Sequence, residues 1–297
     1  MRFMAMLCAI VGLLALSEPA TAQSCSASNL QFAFGAVDTL AGQPVDSFDQ
    51  VVVDCDGLGP EVETVTVCLV FGVVAPAMTR QGGSETLSFG AFTDSQRSVT
   101  WDNQTPIRLA LPAANGTATG DATVYVRIPG GQSTAPAGVY DVLYASGASW
   151  IAATGDLSCE GLSGGTSGTF DVSASAQIEH NCLIVANDLD FGSAGLITSP
   201  IDAATDLDVT GTPGTGYAIT IGPGLHNDGQ RRMNSGSDYV VYELYKDFDR
   251  GQVWGSISGV GDGTTDQIPV YGRVPAPQSP AVGSYSDTVV VTISYEE

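Results

Sequence analysis

Val124-Tyr125-Val126-Arg127-Ile128-Pro129 and Val270-Tyr271-Gly272-Arg273-Val274-Pro275 are two versions of one stretch, and reading them together decides the fold. After each comes a Gln-Ser pair (Gln132-Ser133, Gln278-Ser279), a Pro-Ala, and a Gly-x-Tyr (Gly138 to Tyr140, Gly283 to Tyr285) that opens an apolar run. Upstream, Asn29-Leu30-Gln31-Phe32-Ala33-Phe34-Gly35 answers to Asn187-Asp188-Leu189-Asp190-Phe191-Gly192, shortly after Cys25 and Cys182 respectively, and Trp101 and Trp254 hold similar places. Marks repeated in one order predict a duplicated unit. We read residues 23–165 as a first domain, 166–178 as a joining segment and 179–297 as a second domain.

Both units read as all-β. Asp49 to Val53, Val62 to Phe71, Thr123 to Ile128, Tyr217 to Ile221, Tyr239 to Tyr245 and Ser286 to Tyr295 are rich in β-branched and aromatic residues and are bounded by Gly, Pro, Asn and Asp clusters. Toward the C-terminus Val289, Val291, Ile293 and Tyr295 alternate onto one face. With only 14% charged residues the chain is poor in the pattern of amphipathic helices, and short antiparallel strands suggest a β-sandwich in each unit.

Residues 1–22 read as a secretory leader: Arg2, the apolar run Met6 to Leu16, then Ala20-Thr21-Ala22 as a small-x-small cleavage site. The apolar run is shorter than the roughly 20 residues that span a bilayer. The formal charge of −22 argues against nucleic acid and anionic lipid as electrostatic partners. Cys8 would leave with the leader, so Cys25, Cys55, Cys68, Cys159 and Cys182 form an odd set in a compartment that favours disulfides. There is no CxxC pair, and two histidines (His180, His226) are a thin basis for a metal site. We expect no cofactor and no metal.

Cys182, Leu189-Asp190-Phe191-Gly192, Gly214 to Ile221, Arg232-Met233, Tyr242 to Tyr245, Asp249, Trp254-Gly255, Tyr271 to Pro275 and Gly283 to Ile293 mark nearly the whole of 182–297. Through them the second unit resembles the spore coat protein U domain family. The first unit is a diverged copy. Members of this family include subunits of archaic chaperone–usher pili, so the resemblance implies two immunoglobulin-like β-sandwich domains in tandem, the C-terminal one lacking its last strand. A two-domain member resembles the tip adhesin of such pili. Its implied partners are a periplasmic pilus chaperone, an outer-membrane usher and a neighbouring pilin subunit, with a host or abiotic surface as target. It would be exported through the periplasm to the cell surface. The resemblance also implies pairing of Cys25 with Cys55. In the second unit Gly211 stands where the partner of Cys182 would be. Cys68 can pair with Cys159, or Cys159 with Cys182 across the junction.

Strand addition is the physics of such pili: an open groove with unpaired backbone groups accepts an extended segment from a neighbour. After cleavage only Gln23-Ser24 would precede Cys25, too short to donate a strand of typical length. The segment before the second unit alternates well, with Phe170, Val172, Ala174, Ala176 and Ile178 on one face, behind a Gly/Ser stretch from Gly161 to Gly168. It either completes the first domain from within the chain or opens the second. Nothing after the terminal strand of Val289, Val291, Ile293 and Tyr295 completes the second, which is expected to accept a strand, placing the chain at the distal end of a fibre.

Candidate contact residues are Val73, Val74 and Met78 in an apolar stretch where the second unit has the polar Gly222 to Gln230, together with Trp150 and Ile151. Exposed, they would mark an adhesive surface; otherwise they fill the core. No catalytic constellation is expected. Gly161-Leu162-Ser163-Gly164-Gly165 matches G-x-S-x-G only within a Gly/Ser linker. The spaced pairs Asp188/Asp190, Asp206/Asp208 and Asp247/Asp249 fit no calcium loop. A secreted coat or matrix protein is the alternative reading, and a surface hydrolase a more distant one.

Overall fold

The computed structural model describes residues 23–160, 162 and 165–295. The leader expected at 1–22 and Gly161, Ser163 and Gly164 of the G-x-S-x-G string lie outside these. Every regular element among the described residues is a strand.

The first half runs β1 (Ser24–Ala27), β2 (Leu30–Val37), β3 (Val45–Asp56), β4 (Thr64–Phe71), β5 (Ala77–Arg80), β6 (Thr86–Ser88), β7 (Gly90–Phe92), β8 (Ile107–Pro112), β9 (Ala118–Ile128), β10 (Gly138–Thr154) and β11 (Thr166–Ile178). One sheet has the order β1-β3-β9-β7 and the other β2-β11-β10-β4-β8, with the β5–β6 hairpin beside β10. The second half runs β12 (Cys182–Ala186), β13 (Ile201–Gly211), β14 (Gly216–Ile221), β15 (Arg231–Ser235), β16 (Asp238–Tyr245), β17 (Ser256–Val260), β18 (Thr265–Val274) and β19 (Val291–Tyr295). Its sheets are β12-β13-β18-β16-β15 and β17-β14-β19.

Period-two patterning explains the strands and their cores. On β2 the side chains of Leu30, Phe32 and Phe34 are buried while Gln31 and Ala33 face out. Inward residues of both sheets of the first half, including Val51, Val53, Val124, Val126, Leu69 and Val172, share one core. A separate core in the second half gathers Leu207, Val209, Ile219, Tyr242, Val270 and Trp254.

The duplication extends to single hydrogen bonds. Arg127 grips Asp46 through two bonds of 2.6 and 2.8 Å, and Arg273 grips Asp202 at the same two distances. A second arginine in each half, Arg97 or Arg250, adopts a positive φ (58° and 59°), reaches the same aspartate and lies over the ring of Tyr125 or Tyr271. The paired guanidinium holds the Asp46 and Asp202 carboxyls below the usual carboxylate range. Asp247 caps its own turn, accepting from the Gly251 and Gln252 amides, which accounts for one of the spaced aspartates without a metal.

The strand expected over 286–295 is shorter than its sequence pattern: only Val291–Tyr295 forms β19. A ladder needs a partner. On one side residues 287–290 receive isolated bonds from the Leu225 amide to the Thr288 carbonyl and from the Gly222 amide to the Val290 carbonyl. Among the described residues no strand pairs with their other side.

A candidate acceptor groove in the second half

The two halves differ most at one slot. In the first, β11 lies between β10 and β2, antiparallel to the former from Gly138↔Ile178 to Ala152↔Thr166 and parallel to the latter from Val172↔Leu30 to Ile178↔Val37. Phe170, Val172, Ala174, Ala176 and Ile178 all point into the core and are at most 5% exposed. In the second half the corresponding flanks are Asn187 to Gly192, which forms no strand, and the stretch ending in β19, which pairs with β14 and, through the isolated Asn234↔Ser286 bridge, with β15. Between them runs a cleft of about 770 Å³, walled by Asn187 to Phe191 and Tyr285 to Val291 and floored by Ile221, Met233, Leu207, Tyr242, Leu244 and Val270.

The side chains around this cleft are apolar and incompletely covered. Val289, Val291 and Ile293 alternate inward but are only half-buried, and Tyr295 is 42% exposed. Leu189 and Phe191 are likewise half-buried, Phe191 meeting Tyr242 edge-on at 6.0 Å.

A buried carboxylate stands in the wall. Asp287 accepts from the Tyr242 hydroxyl at 2.7 Å and from the Leu225 and His226 amides at 3.0 and 3.2 Å, and His226 Nδ1 lies 3.0 Å away. Its side chain is 2% exposed. Burial pushes the carboxyl up, but these hydrogen bonds outweigh it and hold Asp287 below its ordinary value. Burial and the neighbouring carboxylate push the Tyr242 hydroxyl far up. Arg231 completes the corner, donating to Glu243 at 2.9 Å and to the Ile221 and Gly222 carbonyls. The polar loop Gly222 to Gln230 is thus a latch fastened to the groove wall. No sequence signal set Asp287, His226 and Tyr242 apart.

Disulfides join Cys25 to Cys55 and Cys68 to Cys159. Cys182 is a buried free thiol, so the alternative pairing of Cys159 with Cys182 is not the one formed. The candidate contact residues separate. Val74 is 92% exposed and Val73 and Ile151 are half-buried, but Met78 is fully buried and Trp150 is 7% exposed. Met78 and Trp150 belong to the core, which corrects their reading as surface groups. Met78 lies on β5, and Trp150 lies on β10, where Ala148, Trp150 and Ala152 alternate inward. Val70, Ile151, Thr169 and the Cys68 side border a shallower concavity of about 340 Å³ on the outer face of β4, β10 and β11.

All-β architecture and a repeated half define the class. The chain belongs to the Spore Coat Protein U domain family, which matches residues 10–143 and again 166–292. Protein U of Myxococcus xanthus is 38% identical over 91 residues, 26% of this chain and 51% of that protein, so the chain spans about half the length of this relative. The fold resembles a chain in the crystal structure of the CsuC–CsuE chaperone–tip adhesion subunit pre-assembly complex from archaic chaperone–usher Csu pili of Acinetobacter baumannii. The TM-score is 0.58 at 18% identity, over 91% of this chain and 99% of that one. The CupB6 tip adhesin of Pseudomonas aeruginosa also aligns, with a TM-score of 0.35 at 12% identity over 92% and 93% of the two chains.

Proposed function

We propose that this protein is an exported, non-enzymatic subunit at the distal end of a chaperone–usher pilus. Its C-terminal domain (179–297) is an immunoglobulin-like sandwich that lacks a final strand and accepts one from a partner. Its N-terminal domain (23–165) is completed by residues 166–178 of its own chain and faces the surface to be bound, host or abiotic. During assembly the acceptor groove is filled first by a periplasmic chaperone at the outer-membrane usher and then by a neighbouring pilin subunit.

One observation carries this reading: the slot that β11 fills in the first half is open in the second, between unpaired backbone and half-covered apolar side chains. Both defects cost stability and one extended segment relieves both. The fold likeness to a chain of a chaperone–tip subunit complex supports the same assignment. Two disulfides suit an oxidising, extracytoplasmic destination. The coat-protein reading is favoured by the name of the matched family, and assembly separates the two.

The test is to express the exported full chain with and without a chaperone of this class and follow amide hydrogen exchange. Residues 187–192 and 285–295 are expected to exchange rapidly in the chain alone and to become protected in a stoichiometric chaperone complex. A monomeric chain in which those residues are as protected as β2 and β10 would overturn the acceptor assignment.

A further inference from the structure

The filled slot of the first half dictates what the open slot of the second admits, because the two walls can be aligned residue by residue. Tyr140 and Tyr285 each donate a hydroxyl hydrogen bond to the carbonyl four residues earlier, Pro136 at 2.8 Å and Ala281 at 2.7 Å. The Gly72 amide donates to the Gly147 carbonyl and the Gly222 amide to that of Val290, which sets Gly147 level with Val290 and Ala148 with Val291. The pairs Phe71↔Ala148 and Ile221↔Val291 agree. Counting on from the tyrosines, Val142 answers to Asp287 and Tyr144 to Val289. The first half carries two extra residues between these fixed points, in the irregularity of β10 between Tyr144 and Ala148.

On β11 the partners of these wall positions are Ala176 opposite Tyr140, Ala174 opposite Val142, Val172 opposite Tyr144 and Phe170 opposite Ala148. We propose, building on the acceptor reading above, that the second groove selects a strand running antiparallel to β19 whose inward side chains follow this order. A bulky aromatic lies opposite Val291, a branched residue opposite Val289, and small residues opposite Asp287 and Tyr285.

The wall supplies the reason. Where the first half has Val142, the second has the Asp287 carboxylate, tied by four contacts to Tyr242 and to the latch at Leu225 and His226. A large apolar side chain opposite Asp287 would press on a buried charge whose bonds cannot be given up without cost. Opposite Val291 no such network stands, and half-covered apolar surface is offered to a ring.

The experiment uses the full chain and synthetic peptides with the sequence of residues 169–178. The parent peptide, a form carrying Ala174→Leu, a form carrying Phe170→Ala, and a form whose five inward residues are all serine are compared by affinity and by exchange protection at 187–192 and 285–295. The parent is expected to protect both flanks, and each single change to weaken binding by about tenfold or more, through overpacking in one case and lost burial in the other. Equal binding of the parent and both single-change peptides, with the serine form inactive, would overturn the size order while leaving the acceptor groove in place. Failure of every peptide to protect either flank would overturn the acceptor reading and the size order together.

Discussion

Cys182 faces Gly211 across β12 and β13 in the register in which Cys25 faces Cys55 across β1 and β3. The second half therefore holds one half of a cross-link that the first half completes. A Cβ placed on Gly211 would lie 3.2 Å from Cys182 Sγ, close enough for a sulfur to bond after a small shift, but 2.9 Å from the Cα of Gly261. Gly211→Cys is expected to form a disulfide with Cys182 on oxidation, visible by non-reducing peptide mapping. A loop of about 30 residues is worth about 3.6 kcal/mol in the chain-entropy account, reduced by whatever Gly261 must yield to make room. Oxidised protein with Cys182 still alkylatable after denaturation would show that the Gly261 contact prevents closure.

The strand that fills the first slot and the strand that flanks the second should answer differently to truncation. Phe170 is 3% exposed and stacks near Trp101, with ring centroids 6.4 Å apart. Phe170→Ala is expected to cost about 3–5 kcal/mol in chemical denaturation. Ile293 on β19 points inward but is only half-buried, so Ile293→Ala should cost about 1 kcal/mol in the free chain and weaken partner binding far more. A cost at Ile293 equal to that at Phe170 would mean the second core is already closed.

The duplicated halves were legible because tyrosines, glycines and a Val-Tyr-x-Arg run recur in one order, and the strand that fills the first slot was legible in the alternation of Phe170 to Ile178. The choice between completing the first unit and opening the second was not legible, since both need the same alternation; pairing with β10 and β2 decides where the segment lies. Asp287 was illegible for a different reason. In Ser286-Asp287-Thr288 an aspartate reads as solvated, and its partners are 45 and 61 positions away. Of the two readings left open for Trp150, the core one was legible, because Ala148, Trp150 and Ala152 already alternate like the inner face of a strand.

Between the loop that precedes β5 and β5 itself, position decides the outcome of an apolar-to-polar change. Val74 is 92% exposed and Met78 fully buried. Val74→Ser should leave stability within about 0.5 kcal/mol and report on attachment alone. Met78→Ser should destabilise the first half by about 2–5 kcal/mol through the cavity and the buried hydroxyl. Attachment assays that lose signal in Val74→Ser pili of normal length would make this loop part of the contact surface. Unchanged attachment would place that surface elsewhere on the first half.

Acid should loosen the groove wall before it loosens the first half. Asp287 titrates below its ordinary 3.8 in the folded chain, so its contribution is fully present above that value and is lost as pH falls through the lowered folded value. Tyr242 is displaced the other way. Its folded value lies above the ordinary 10.0, so its contribution is present below pH 10 and fades as pH rises beyond it. As pH falls through the lowered Asp287 value the latch from Leu225 and His226 should release. The measurement is hydrogen exchange of the full chain from pH 7 to pH 3, corrected for the intrinsic rate, comparing the Leu225 and His226 amides that donate to Asp287 with β10. Protection of these two amides is expected to fall before that of β10, whose corresponding wall residue is Val142. In Asp287→Asn the acid step should flatten, because the amide keeps the shape and one acceptor oxygen but cannot take up the proton. A second half that loosens at the same pH in wild type and in Asp287→Asn would show that other carboxylates, and not this one, hold the wall in place.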